Sequence, residues 1–171
     1  ASIYQTIDHQ AVVDDAGAIT VTTTITKEHR AEAPDQFAYV NNVDYIRFYV
    51  PLGSTLLRAT GFQQPADQLF RPPSDIESKD SDLESISGPQ TIDQSTGTTI
   101  SRELGHTVFG NWMQVQPGSK SIATITYTLP FKIMIPEAQG VSWLTLWGKQ
   151  SQEVDAYSLL VQRQSGKKNT I

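Results

Sequence analysis

The chain contains no cysteine. Thiol catalysis, disulfide staples and thiolate metal sites are therefore excluded together. A cysteine-free domain works in either redox compartment, so the absence does not locate the protein. Long apolar runs are also missing, and nothing approaches the ~18 residues of a membrane-spanning helix; this segment itself is expected to make no membrane contact. Histidine is scarce. His9, His29 and His106 lie far apart, and none stands in a ligand spacing such as His-x-x-x-His. There is no Gly-x-Ser-x-Gly elbow, and Gly105 and Gly110 are too sparse and too strand-like in context to form a phosphate loop. No catalytic residue, metal or cofactor is expected, and the chain does not read as an enzyme. With 13 Lys and Arg against 18 Asp and Glu, the formal net charge is -5. That mild acidity gives no phosphate-binding surface, so nucleic acid is not an expected partner.

What the sequence does have is alternation. Its 171 residues are enough for one domain with a hydrophobic core. From Ala18 to Lys27, Ile19, Val21, Thr23 and Ile25 fall on one face and Thr20, Thr22, Thr24 and Thr26 on the other. That period of two, in β-branched residues, is a strand and not a helix. Val43 to Val50 alternates again, with Tyr45, Arg47 and Tyr49 opposite Ile46, Phe48 and Val50. Thr55 to Phe62 follows after a turn at Pro51 to Ser54, and the two runs are expected to form a hairpin. Thr99 to Leu104 and His106 to Val115 flank Gly105. The second does not alternate strictly, which suggests a bulge near Gly110. Ser121 to Leu129, Val141 to Trp147 and Val154 to Arg163 are further strands, and Ser2 to Asp8 is a thinner candidate. Eight or nine strands without a long helix indicate an all-β fold, an antiparallel two-sheet β-sandwich of immunoglobulin-like or jelly-roll-like type, with a barrel as the main alternative.

Residues 1–166 read as one sandwich domain and 167–171 as a C-terminal tail or linker. Gln63 to Ser95 is a long polar excursion punctuated by Pro65, Pro72, Pro73 and Pro89. Ala66 to Phe70 is compatible with one helical turn. The rest is either mobile or carries an edge strand that pattern alone does not find. Within it, Asp80, Asp82 and Glu84 place hard oxygen donors at alternate positions, a candidate cation site of the Ca²⁺ kind. The glycine and distal glutamate of a complete calcium loop are missing, and a solvated acidic loop explains the same residues. Trp112, Trp143 and Trp147 are candidate ligand-binding aromatics. Trp143 and Trp147 share a strand parity, so both point to one face, either into the core or outward as a sugar-binding row. Arg47, between Tyr45 and Tyr49, reads as a structural residue waiting for a cross-strand carboxylate.

Several blocks carry a likeness. Tyr45-Ile46-Arg47-Phe48-Tyr49-Val50-Pro51-Leu52-Gly53-Ser54, Glu103 to Gly110, Val115 to Ser119 with Tyr127 to Pro130, and Tyr157 to Gly166 resemble the C-terminal region of large membrane-anchored bacterial proteins that contain a domain of unknown function, DUF4012. Asp44 stands where that region usually has Asn, and Ser165 where it has Pro. The resemblance implies an extracellular or periplasm-facing β domain of a Gram-positive-type envelope protein and carries over no catalytic residues. The expected role is a non-catalytic structural or protein-interaction module with a protein or glycan partner at the cell envelope. A carbohydrate-binding module and a wall-acting hydrolase domain are the alternatives.

Overall fold

The structure is a computed structural model that describes residues 2–32, 38–71, 81–133, 159–161 and 167–170. The described residues form a two-sheet β-sandwich. The strands are β1 (Ile3–Val13), β2 (Ala18–His29), β3 (Asn42–Pro51), β4 (Thr55–Thr60), β5 (Thr91–Asp93), β6 (Thr98–Glu103), β7 (His106–Val115), β8 (Lys120–Lys132) and β9 (Lys167–Thr170). One sheet has the order β4-β8-β2-β1-β9 and the other β3-β7-β6-β5. A single short helix, α1 (Ser81–Ser87), precedes β5 among the described residues.

β2 shows why the pattern folds this way. Ile19, Val21, Thr23 and Ile25 are buried, while Thr20, Thr22, Thr24 and Thr26 take the outer parity. On that outer face the hydroxyls of Thr22 and Thr126 lie 3.3 Å apart, and those of Thr24 and Thr124 3.0 Å apart. Such cross-strand pairs stabilise a sheet by a few tenths of a kcal/mol each, roughly 0.2–1. On the inner face, Ile19, Val21, Ile125 and Tyr127 meet Val50 and Phe109 of the other sheet. A second cluster joins Ile25 and Ala123 to Met113, with Ile46 packed against it and Phe48 against both clusters. The expected inner parity of β3 and β8 is the observed one; Ile46, Phe48 and Leu129 are half-buried rather than fully enclosed.

Four local expectations are corrected. β3 and β4 do not pair. β3 pairs with β7 and β4 with β8, so the Pro51–Ser54 turn carries the chain from one sheet to the other. A tight turn fixes a reversal of direction but not the partner, and Leu56 and Ala59 bury themselves against β8 instead. β7 has no bulge at Gly110, and its register runs unbroken against β3 and β6. Its alternation fails because residues 107–111 are buried on both faces. Residues 167–170, expected as a tail, form β9, which pairs in parallel with β1 and makes the sheet mixed rather than purely antiparallel. Finally, 159–161 lie outside any strand, with Leu160 exposed; Val141 to Trp147 and the remainder of Val154 to Arg163 fall outside the described residues.

The excursion holds a 3-10 turn (Asp67–Leu69), α1, and the edge strand β5. β5 turns into β6 around Asp93, whose Oδ1 accepts hydrogen bonds from the Ser95 and Thr96 backbone N–H groups at 3.1 and 2.9 Å and from both their hydroxyls. Those donors hold the Asp93 carboxyl below its ordinary value. Residues 72–80, the centre of the excursion, are outside the described residues.

Two outcomes follow from this packing. Phe109 is 1% exposed and touches the Tyr127 ring across the sandwich at 5.8 Å between centroids. Phe109→Ala is expected to cost about 3–5 kcal/mol in a urea titration; a loss under about 1 kcal/mol would show that the sheets do not depend on this contact. His9 lies on the β1 face that looks inward, its Nδ1 2.8 Å from the hydroxyl of buried Thr23. Burial lowers the imidazole pKa below 6.5, against the opposing pull of Asp8. The folded state therefore binds this proton less readily than the unfolded chain. The contribution to stability is complete above about pH 6.5 and is lost as pH falls through that value towards the folded pKa. Histidine resonances followed by NMR should give His9 a midpoint below 6.5.

Candidate binding face

Every inner residue of the four-stranded sheet leaves a neighbour on the outer face, and that face gathers most of the exposed chemistry. β3 contributes Tyr45, Arg47 and Tyr49. They stand opposite Trp112, Gly110 and Val108 of β7, which in turn stand beside Thr99 and Ser101 of β6. The small residue in the middle is necessary. A Cβ on Gly110 would lie 2.2 Å from the Tyr45 hydroxyl and 2.7 Å from Cζ, so only glycine lets that ring lie across β7. Arg47 reaches past β7 to β6, where its Nη1 donates to Glu103 Oε2 at 3.3 Å.

Glu103 is 4% exposed and fully engaged. The Tyr49 hydroxyl donates to the same oxygen at 3.0 Å, and the Ser101 hydroxyl donates to Oε1 at 2.9 Å. Arg47 is thus the cross-strand partner of a carboxylate, one strand farther away than sequence reading placed it. The contact with Tyr49 and the charge of Glu103 hold its guanidinium above its ordinary value. With Arg47 at 48% exposure, the ion pair itself is worth little, about 0–1 kcal/mol. Its effect is geometric. One edge of the guanidinium is held by Glu103, the Tyr45 ring lies 5.8 Å from its centre, and the rest faces solvent.

The aromatic row continues along the sheet. Trp112 packs on Tyr45 at 4.9 Å and 57°, and on Phe70 at 5.3 Å and 70°. Phe70 arrives here because the chain after β4 returns to this sheet. β6 reaches only as far as the Gly110 pair, so the Trp112 carbonyl is left for the Gln63 N–H at 2.9 Å. Gln114 Nε2 then donates to the carbonyls of Gln63 and Gln64 at 3.3 and 3.1 Å. At the other end, Tyr49 meets His106 edge-on at 6.2 Å. The β6–β7 turn beside it places Leu104 at φ 49° and Gly105 at φ 77°. Two consecutive positive φ values suit a tight hairpin, where Asn-Gly is the favoured pair. Leu104 is 74% exposed there, so it buries little in return for the unfavourable backbone.

Of the residues singled out from the sequence, Trp112 is brought into this face, half-buried. Trp143 and Trp147 lie outside the described residues. Asp82 opens α1 and is exposed, while Asp80 is outside the described residues and the side chain of Glu84 is too. Among the described residues no three His, Asp or Glu side chains are grouped to hold a metal ion. Glu103 and Phe70 were not anticipated. Glu103 could have been found, since it shares its parity with Thr99 and Ser101 on a strand next to the one facing Arg47. Phe70 could not, because its position depends on where the excursion folds back. No family model, curated protein or solved structure matches the chain.

The strained turn yields a test. Leu104→Asn keeps the hairpin, relieves the positive-φ penalty and should raise stability by about 1 kcal/mol in thermal or urea unfolding. A loss of stability would mean that the Leu104 side chain makes a contact that its exposure conceals.

Proposed function

We propose that the chain is a non-catalytic interaction module of a bacterial envelope protein, displayed outside the cell, which holds a protein partner on the outer face of the four-stranded sheet. The observation that carries this reading is the continuous row Phe70, Trp112, Tyr45, Arg47 and Tyr49, anchored from beneath by buried Glu103. Tyr, Trp and Arg are the residues that dominate protein–protein binding energy, and they do so best when held rigid. An exposed Leu104 on a strained turn beside the row fits the same reading, since strain that stabilises nothing in the fold points to use elsewhere. The envelope location rests on the resemblance to the DUF4012-containing proteins.

A carbohydrate partner is the second reading, because aromatic rings on a sheet also stack on sugars. The ring angles speak against it: planes tilted by 57° and 70° present edges and corners rather than one flat platform. The hydrolase reading has the least support, since the carboxylate on this face is already committed to three donors. As to the finer fold, the nested pairings β2–β8 and β3–β7, closed by the β5–β6 hairpin, favour a jelly-roll-like wiring over an immunoglobulin-like one.

The test compares the purified chain with Arg47→Ala and Trp112→Ala in binding to fractionated bacterial envelopes. Saturable binding that is destroyed by protease treatment of the envelope and weakened at least about tenfold by each substitution supports the reading. Protease-resistant binding competed by purified wall polymer replaces the protein partner with a glycan. Cleavage of wall polymer by the purified chain overturns the non-catalytic assignment, and binding unaffected by both substitutions removes this face from it.

A further inference from the structure

Among the described residues, the interior contains a charged pair that hydrophobic packing does not call for. Lys27 lies on the inner face of β2, two residues beyond Ile25, and its side chain is 1% exposed. Lysine is almost never buried to that degree unless its ammonium is paired. Its Nζ is in direct contact with Oδ2 of Asp44, which is 16% exposed and stands opposite Met113 on the inner face of β3. The two residues belong to different sheets, so their contact crosses the sandwich. The apolar cluster of Ile25, Met113 and Ala123 lies alongside. We infer that Lys27 and Asp44 condense to an intramolecular amide, a covalent tie between the two sheets.

The chemistry is self-contained. A charged pair with one member fully buried and the other partly so carries a desolvation cost that its mutual attraction offsets only in part. Amide formation begins with transfer of a proton from ammonium to carboxylate, and the direct contact of Nζ with Oδ2 places donor and acceptor for that transfer. The products of that transfer, a free amine in contact with a carboxylic acid, are the two reactants of amide formation. The nitrogen lone pair attacks Asp44 Cγ, and a C–N bond forms as the carbonyl opens to a tetrahedral centre. One more N–H proton passes to a hydroxyl on that carbon, the C–O bond breaks, and water leaves. The three protons of the original ammonium are accounted for: two depart in the water and one remains on the amide nitrogen. Nothing is oxidised or reduced, and no other reactant is needed.

In bulk water such a condensation is unfavourable. Here both groups are held at contact by strands that are themselves fixed in register, and effective concentrations for pairs so placed reach about 10⁵–10⁸ M. A buried ammonium and a partly buried carboxylate are exchanged for one neutral amide, so the cost of desolvating the charges is removed by the reaction. The position is also where a tie has most effect. β2 and β3 are consecutive strands on opposite sheets, and no cysteine is present to join them in any other covalent way. The same end of the interior is polar: Asn42, two residues before Asp44 on its face, has a buried side-chain oxygen with no hydrogen-bond partner.

The intact mass of the folded wild-type chain decides the matter. Held at neutral pH, it should be lighter than the sequence mass by one water. Proteolysis should release a branched peptide joining the segment that contains Lys27 to the segment that contains Asp44, with no tryptic cleavage after Lys27. Lys27→Arg keeps the charge but not the reactivity. That variant and Asp44→Ala should each return the full sequence mass, whatever their stability. On a denaturing gel the wild-type should run ahead of both. A folded wild-type chain at its full sequence mass overturns the inference, as does a water loss that maps to a linear peptide, the signature of a cyclised aspartate.

Discussion

Phe109 and Tyr127 face each other across the gap between the sheets, and the arrangement of everything outside depends on that contact. Phe109 takes the inner parity of β7 because its ring fills the space above Val21 and Ile125. Once it does, Val108, Gly110 and Trp112 must take the outer parity, since successive side chains alternate. β3 is then locked by its register with β7: Phe48 opposite Phe109, Tyr45 opposite Trp112, Arg47 opposite Gly110. A slip of one residue would bury Arg47 and Tyr49 and expose Phe48 and Val50, so the apolar core also sets the composition of the outer face.

Polar groups inside the sandwich sharpen that register. Asn111 faces inward on β7 and donates to the Thr98 hydroxyl of β6 at 3.0 Å. His29, buried at the end of β2, accepts from the Ala31 N–H on Nδ1, which leaves Nε2–H to donate to the Val40 carbonyl at 2.9 Å. Lys27 and Asp44 meet between the sheets. Leucine or valine at these places would tolerate small shifts. A hydrogen-bonded amide or a buried ion pair does not, because any shift leaves a desolvated group without its partner.

The sandwich was legible from β2, β3 and β8, where period-two alternation of β-branched and aromatic residues spans eight residues or more. It failed where the deciding term is not local. Nothing within Pro51 to Ser54 distinguishes a hairpin from a passage between sheets, since the choice rests on whether Leu56 and Ala59 find β8 or β3. The irregular apolar pattern of β7 looks like a bulge in sequence but arises from cover on both faces. β5 has three residues, too few to show a period. Lys167 to Thr170 carries no apolar pattern, because a parallel edge strand on β1 is held by backbone hydrogen bonds. The candidate face was half legible. Tyr45, Arg47, Tyr49 and Trp112 are visible as an aromatic, polar parity. The carboxylate that organises them is 56 residues from Arg47, and the ring that extends them comes from the excursion.

β3 is the strand on which the inside and the outside of the molecule meet. Among the described residues it lies at the edge of its sheet, paired with β7 alone. Edge strands fray, and a row of exposed side chains on a fraying strand would lose affinity to the entropy of ordering them. Asp44, Ile46, Phe48 and Val50 act against this from within: Asp44 joins β2 through Lys27, and the other three sink into the core. Tyr45, Arg47 and Tyr49 alternate with those anchors one for one. Each of the three is therefore flanked on both sides by a residue that points into the interior, and the rigidity of the interior is passed directly to the face that a partner would meet.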